Sequence, residues 1–120
     1  MYNIYIIIMI DIETIKFMMK EFAEKYNFIQ QKDIEKLETE DFNRQNYHKI
    51  DNKFFICMNK YTDKTEIVCG KINIEIDTID EEEWYYIEKN NSFYINILDY
   101  PNEDRLIEAI IIECRKYNLL

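Results

Sequence analysis

The spacing of apolar residues changes several times along this chain, and each change marks an element. Residues 2–9 are β-branched and aromatic with no polar face at helical spacing, which predicts a buried strand. From Asp11 the period is helical. Ile15, Met18, Met19, Phe22 and Tyr26 fall on one side, with Glu13, Lys16, Lys20, Glu21 and Glu24 on the other. That pattern predicts an amphipathic helix over 12–26. Ile34, Leu37 and Phe42 form a sparser stripe over 31–42, a short second helix, before a polar loop over 43–52.

From Lys53 the period becomes two. Phe54, Ile56 and Met58 alternate with Phe55, Cys57 and Asn59, and a turn follows at Thr62-Asp63-Lys64-Thr65. The next strand puts Val68, Gly70, Ile72, Ile74 and Ile76 on one face and Lys71, Asn73, Glu75 and Asp77 on the other. A three-residue loop at 62–64 would set Phe54, Ile56 and Met58 opposite Ile72, Gly70 and Val68, and Cys57 opposite Cys69. A second hairpin joins Trp84–Glu88 to Phe93–Leu98 through Lys89-Asn90-Asn91-Ser92, pairing Ile87 with Phe93 and Tyr85 with Ile95. Thr78-x-x-Glu81 matches a capping box, so a helix over 79–89 competes. The aromatic and β-branched content of 84–87 favours the strand. Leu106, Ile107, Ile110, Ile111, Cys114 and Tyr117 form the stripe of a last helix. Acids near its start and Arg115 and Lys116 near its end suit the helix dipole.

These elements predict a single α+β domain over 1–120. It has one or two N-terminal helices, an antiparallel sheet of four to five strands, and a C-terminal helix packed on one sheet face. The two amphipathic helices cover one face. The other carries Glu75, Asp77, Glu82, Glu88, Trp84, Tyr86, Tyr94 and Asn96 with no long helix left to cover it.

Composition adds a setting. One Gly, one Pro and two Ala stand beside twenty-three Ile and twelve Asn, the bias of an AT-rich bacterial, phage or viral genome. Three cysteines, without a secretory leader, fit free thiols in a reducing cytoplasm, of a bacterium or of the host cell of a phage or virus. Cys114, on the last helix's buried stripe, is expected to be inert. The apolar N-terminus is too short to span a bilayer and lacks a basic leader region, and Met9 offers an alternative start.

Catalytic and cofactor signatures are missing. With one glycine no phosphate-binding glycine loop can form, and His48 is the only histidine, lying in a polar stretch. Cys57, Cys69 and Cys114 lack the spacing of a zinc site, and the acids lack the glycine-punctuated loop of an EF-hand. No catalytic residue, cofactor or metal ligand is therefore assigned. Ile67-Val68-Cys69-Gly70-Lys71-Ile72 and the helix Leu106–Leu119 lie in an element order that resembles the acetyl-CoA-dependent N-acetyltransferases over about half the chain. That resemblance implies a cofactor pyrophosphate at the start of the last helix, held by a glycine-rich loop. Tyr100-Pro101-Asn102-Glu103-Asp104 stands there instead, without glycine and with two acids.

Charge gives the functional expectation. Residues 1–60 hold ten acidic and nine basic side chains, a net of −1; residues 61–120 hold fourteen and six, a net of −8. Seven of these acids lie between Glu75 and Glu88 with no base among them, around the only tryptophan. Such a field attracts basic partners and repels nucleic acid. Glu75, Asp77, Glu81, Glu82, Glu83, Trp84, Tyr86, Glu88 and Tyr94 form the candidate partner-binding set. The expected function is a small acidic non-catalytic protein that blocks a basic protein surface on a nuclease or nucleic-acid-binding complex. A toxin-immunity protein or a phage or viral anti-defence inhibitor would work this way. The alternatives are a degenerate acetyltransferase-like enzyme and an acidic chaperone for a secreted protein. Direct nucleic-acid and membrane binding are not expected; a homodimer is compatible with the sequence.

Overall fold

A computed structural model describes residues 10–39 and 48–120 of the chain, the side chains of 37–39 excepted. The strand expected over 2–9, the side chains of Leu37 and Phe42, and residues 43–47 of the expected loop lie outside the described residues. The chain is an α+β domain in which helices flank a four-stranded sheet. Helix α1, Ile12–Tyr26, buries Ile15, Met18, Met19 and Phe22 of the expected stripe and Ala23 besides, while Tyr26 is half-buried. It stops at Asn27, whose left-handed backbone (φ 59°) lets the Phe28 N–H donate to the Ala23 carbonyl at 2.8 Å. A two-residue strand β1, Ile29–Gln30, leads into helix α2, Gln31–Thr39.

Strands β2 (Lys53–Lys60), β3 (Thr65–Ile79) and β4 (Glu82–Asn96) follow, and the sheet order is β1-β2-β3-β4. The three long strands are antiparallel as expected, whereas β1 pairs parallel to β2 at the edge. Helix α3, Glu103–Lys116, closes the chain. Its N-cap is Asn102, whose Oδ1 accepts from the Arg105 N–H at 3.0 Å, with Glu103 and Asp104 in the first turn.

Both faces of the sheet's body are buried, not one. On the first face, Ile56, Ile67, Cys69, Phe93 and Ile95 pack under α1 and under Leu106, Ile110 and Cys114 of α3. On the second, Phe55, Cys57, Val68 and Ile72 pack against Ile34 of α2 and Ile50. The expected register of the first hairpin is one residue out. The loop is four residues, 61–64, so Lys60 pairs with Thr65, Cys57 with Val68 and Cys69 with Ile56. Side chains alternate along a strand, so a slip of one residue exchanges the faces. Cys57 and Cys69 therefore lie on opposite faces, and Cys69 has Cys114 of α3 as its thiol neighbour. All three cysteines are buried and free.

The second hairpin departs further. Lys89-Asn90-Asn91-Ser92 is not a turn but part of β4, which runs unbroken from Glu82 to Asn96. The turn is Asp80-Glu81, since Ile79 pairs with Glu82. Ile79 and residues 82–89 are strand on either side of that turn, against the competing helix. The turn-like composition at 89–92 instead makes a β-bulge: Phe93 pairs with Cys69, yet Asn90 pairs with Lys71, leaving one extra residue in β4. Asn91 takes the left-handed backbone this needs (φ 49°), and its Nδ2 donates to the Tyr117 carbonyl at 2.7 Å.

The single glycine sits under this bulge. A Cβ on Gly70 would lie 2.8 Å from a carbon of the Phe55 ring and 2.9 Å from the Asn90 carbonyl oxygen, and would also strike Ser92 Oγ. Gly70 has no positive φ, so it is required by space, not by conformation. Gly70→Ala is expected to cost about 1–3 kcal/mol of unfolding free energy by overpacking, measured as a lower urea midpoint at unchanged m-value.

Candidate functional site

β2 gives out long before β3 does. Its last pair with β3 is Lys53 with Ile72, after which residues 73–79 of β3 and 82–88 of β4 pair, among the described residues, with each other alone. They form a two-stranded arm of seven cross-strand pairs, reaching roughly 20 Å beyond the sheet's body at about 3.4 Å per pair. Two contacts fix its base. Where β2 ends, Asp51 Oδ1 accepts from the Ile74 N–H at 2.8 Å, satisfying a strand edge that has lost its neighbour. On the β4 side, Lys89 Nζ donates to Gln31 Oε1 at 3.3 Å and lies 5.2 Å above the Phe55 ring.

At the tip, Asp80 and Glu81 both have positive φ (53° and 69°). That is the type I′ requirement, usually met by Asn-Gly because it matches the twist of paired strands. Here two acids fill it, so the turn trades conformational ease for negative charge.

The register sorts the arm's side chains by chemistry. Glu75 pairs with Tyr86 and Asp77 with Trp84 on one face, where Glu82 and Glu88 also lie. Trp84 and Tyr86 are 49% and 46% exposed. On the reverse face Ile74 pairs with Ile87 and Ile76 with Tyr85, and the Tyr85 hydroxyl donates to the Glu83 carboxylate. Of the nine candidate residues, six therefore share one exposed face: Glu75, Asp77, Glu82, Trp84, Tyr86 and Glu88. Glu81 stands in the turn. Glu83 projects from the reverse face. Tyr94, opposite Val68 beyond the bulge, belongs to the other face of the sheet's body, where it is 62% exposed and apart from the rest. It does not join the patch, because the bulge changes which positions of β4 point to which side.

The patch also lies on a different side than expected. Glu75 and Asp77 share the face that α1 and α3 cover further down the sheet, and they are exposed because the arm outruns both helices. Sequence reasoning missed Asp80, Asp51 and Lys89. Asp51 carried no signal of its own, because its partner is a backbone amide 23 residues away. Asp80 lay inside the acidic run, and only the turn's position gives it the tip.

Electrostatics in the patch is unfavourable to itself. Glu75 and Glu88 are diagonal neighbours across the strands and share a hydrogen bond. That bond, and then the charge of Glu88, pushes the Glu75 carboxyl above its usual range. The thiols behave as structural groups. The hydrogen bond with Cys114 and burial push Cys69 far up, and burial pushes Cys57 up against a smaller opposing pull from Lys89. His48 is exposed. Among the described residues no three His, Cys, Asp or Glu side chains converge as a metal site would require, and no helix is long and apolar enough to cross a membrane. What the arrangement can do is present negative charge and aromatic rings on a narrow projection. No family model, curated protein or solved structure matches the chain.

The raised value of Glu75 gives a pH signature with a definite sign. The folded arm holds a proton that the unfolded chain has already released, so the stability this gives is complete below the ordinary glutamate value. It is lost as pH rises through the folded value. Glu88→Gln removes the opposing charge. The expected result is a Glu75 NMR titration midpoint shifted down toward the ordinary value, and a melting temperature that falls less steeply over this acid-to-neutral window than in the parent.

Proposed function

We propose that this protein is a small, non-catalytic inhibitor whose acidic arm enters a basic groove on a nucleic-acid-binding protein and blocks it. The observation that carries this reading is the arm's linear charge density. Seven acids, Glu75, Asp77, Asp80, Glu81, Glu82, Glu83 and Glu88, lie along a projection of roughly 20–24 Å, about one charge per 3 Å. One strand of B-form DNA carries about one per 3.4 Å. A groove built to hold a nucleic-acid strand meets in this arm a comparable run of negative charge on a comparably narrow support.

The aromatic rings add what charge alone lacks. A purely electrostatic contact is screened beyond about 8 Å at physiological ionic strength. Exposed Trp84 and Tyr86, with Ile76 (46% exposed) and Ile79 (51%) nearby, supply apolar area that remains in contact as salt rises. Charge then governs the encounter rate and the rings govern residence. An immunity protein against a nuclease toxin and an anti-defence inhibitor of a phage or virus would both use such a device, in the cytoplasm where their targets act.

The test compares the parent with Glu81→Gln/Glu82→Gln/Glu83→Gln. Both are immobilised and exposed to the heparin-retained proteins of a bacterial lysate. The expected result is a protein captured by the parent more slowly as salt rises, and captured at least about tenfold more slowly by the triple variant, whose circular dichroism is unchanged. The free parent should also displace nucleic acid from the captured protein. Equal capture by both forms, or capture without displacement, would overturn the reading.

A further inference from the structure

The arm's patch is not a random mixture of acids and rings. Its two aromatic residues each lie directly across the strands from a carboxylate: Tyr86 from Glu75, and Trp84 from Asp77. Opposed side chains in an antiparallel pair have Cβ atoms about 4.5–5.5 Å apart. Both units face the same way, and they repeat along the strand at about 6.8 Å, twice the rise per residue. Among the described residues, neither Trp84 nor Tyr86 forms an aromatic pair or carries a cation from this chain.

We propose that these two aromatic–carboxylate units read a pair of arginines one residue apart on an extended segment of the partner protein, an Arg-x-Arg strand. This rests on the reading of the arm as a binding element for a basic protein and specifies what that element recognises. A guanidinium is planar. It can lie on a ring face and direct its N–H fork sideways to a carboxylate beside that ring. An ammonium can approach the ring or the carboxylate as a point charge, but it cannot offer the flat stack and the fork together. Two arginines on the same face of an extended chain are also about 6.8 Å apart, so one strand places both over the two units at once.

The other occupants fit less well. Nucleic acid is repelled by the arm's charge. A second copy would bring a like-charged arm, and the near-neutral N-terminal half offers no excess of cations in exchange. The raised carboxyl of Glu75 agrees with a cationic occupant, since an arriving guanidinium relieves the repulsion between Glu75 and Glu88.

The probes are three fluorescein-labelled, end-capped peptides of equal length and charge. One has an Arg-Thr-Arg core, one a Lys-Thr-Lys core, and one an Arg-Thr-Thr-Arg core that breaks the two-residue spacing. Each is titrated against the full chain at low ionic strength by anisotropy. Fluorescence of Trp84, the only tryptophan, reports contact at the patch directly. The Arg-Thr-Arg peptide is expected to bind at least about fivefold more tightly than the other two and to change Trp84 emission. Trp84→Leu/Tyr86→Leu should erase that preference while leaving weak, salt-sensitive binding of all three. Equal affinities in the parent, or a preference that survives in the double variant, would overturn the arginine assignment and leave the acidic arm standing. No binding of any peptide at low ionic strength would overturn both.

Discussion

The close approach of Gly70 to the bulge at Asn91 and Ser92 determines how the rest of the hairpin is read. On the body side of the bulge, Phe93 and Ile95 point under the helices. On the arm side, Glu88, Tyr86, Trp84 and Glu82 point that way instead. Had β4 continued without the extra residue, Glu75 would oppose Ile87, Asp77 would oppose Tyr85, and Glu88 would oppose Ile74. Carboxylates would then alternate with isoleucines on both faces. The bulge prevents this, pairing Ile74 with Ile87 and Ile76 with Tyr85 on one face and Glu75 with Tyr86 and Asp77 with Trp84 on the other. Its geometry needs a backbone that a Cβ at position 70 would push away, which is why the chain spends its one glycine there.

The arm is held by different physics from the body. Among the described residues no helix covers it, so it gains little from their burial, and a two-stranded ribbon alone is marginal in water. Its order comes from the ladder of backbone hydrogen bonds, from cross-strand apolar pairs on the reverse face, and from Asp51 and Lys89 at the base. Against these stand the Glu75–Glu88 repulsion and two non-glycine residues at positive φ in the turn, each of the latter costing of order 1 kcal/mol or more. A chain selected only for stability would dispense with these costs. On the function proposed above, they are kept along the exposed arm because its charge serves another molecule.

Much of the architecture was legible because its signals are local. α1 and α3 follow their apolar stripes closely, and the alternation from Val68 to Ile76 identifies a strand without help. What escaped depends on backbone detail that composition disguises. Asn90-Asn91-Ser92 has the residues of a turn because a bulge needs the same left-handed tolerance. Asp80-Glu81 lacks the residues of a turn because charge has displaced them. In a chain with one glycine, asparagine takes over the left-handed positions at 27, 52, 91 and 118, so Asn loses its value as a turn marker. The four-residue loop at 61–64 was a finer miss, yet it moved Cys57 and Cys69 to opposite faces. Six of the nine candidate residues still share one face, because an acidic run around one tryptophan stays together in either register. Tyr94 does not join them, because it lies across the bulge.

The two-residue turn and the two-residue alternation of faces together restrict how the arm's reach can vary. An insertion of one residue in either strand would exchange its faces from that point to the tip, mixing what the bulge has sorted. Two residues added to each strand leave every existing pairing intact and extend the projection by roughly 6.8 Å. Reach is thus adjustable only in steps of four residues, and each step would add two more cross-strand pairs, one on each face, at the same spacing. The body, sealed below the bulge, would not register the change. Such a part can be lengthened or shortened without redesigning the domain that carries it.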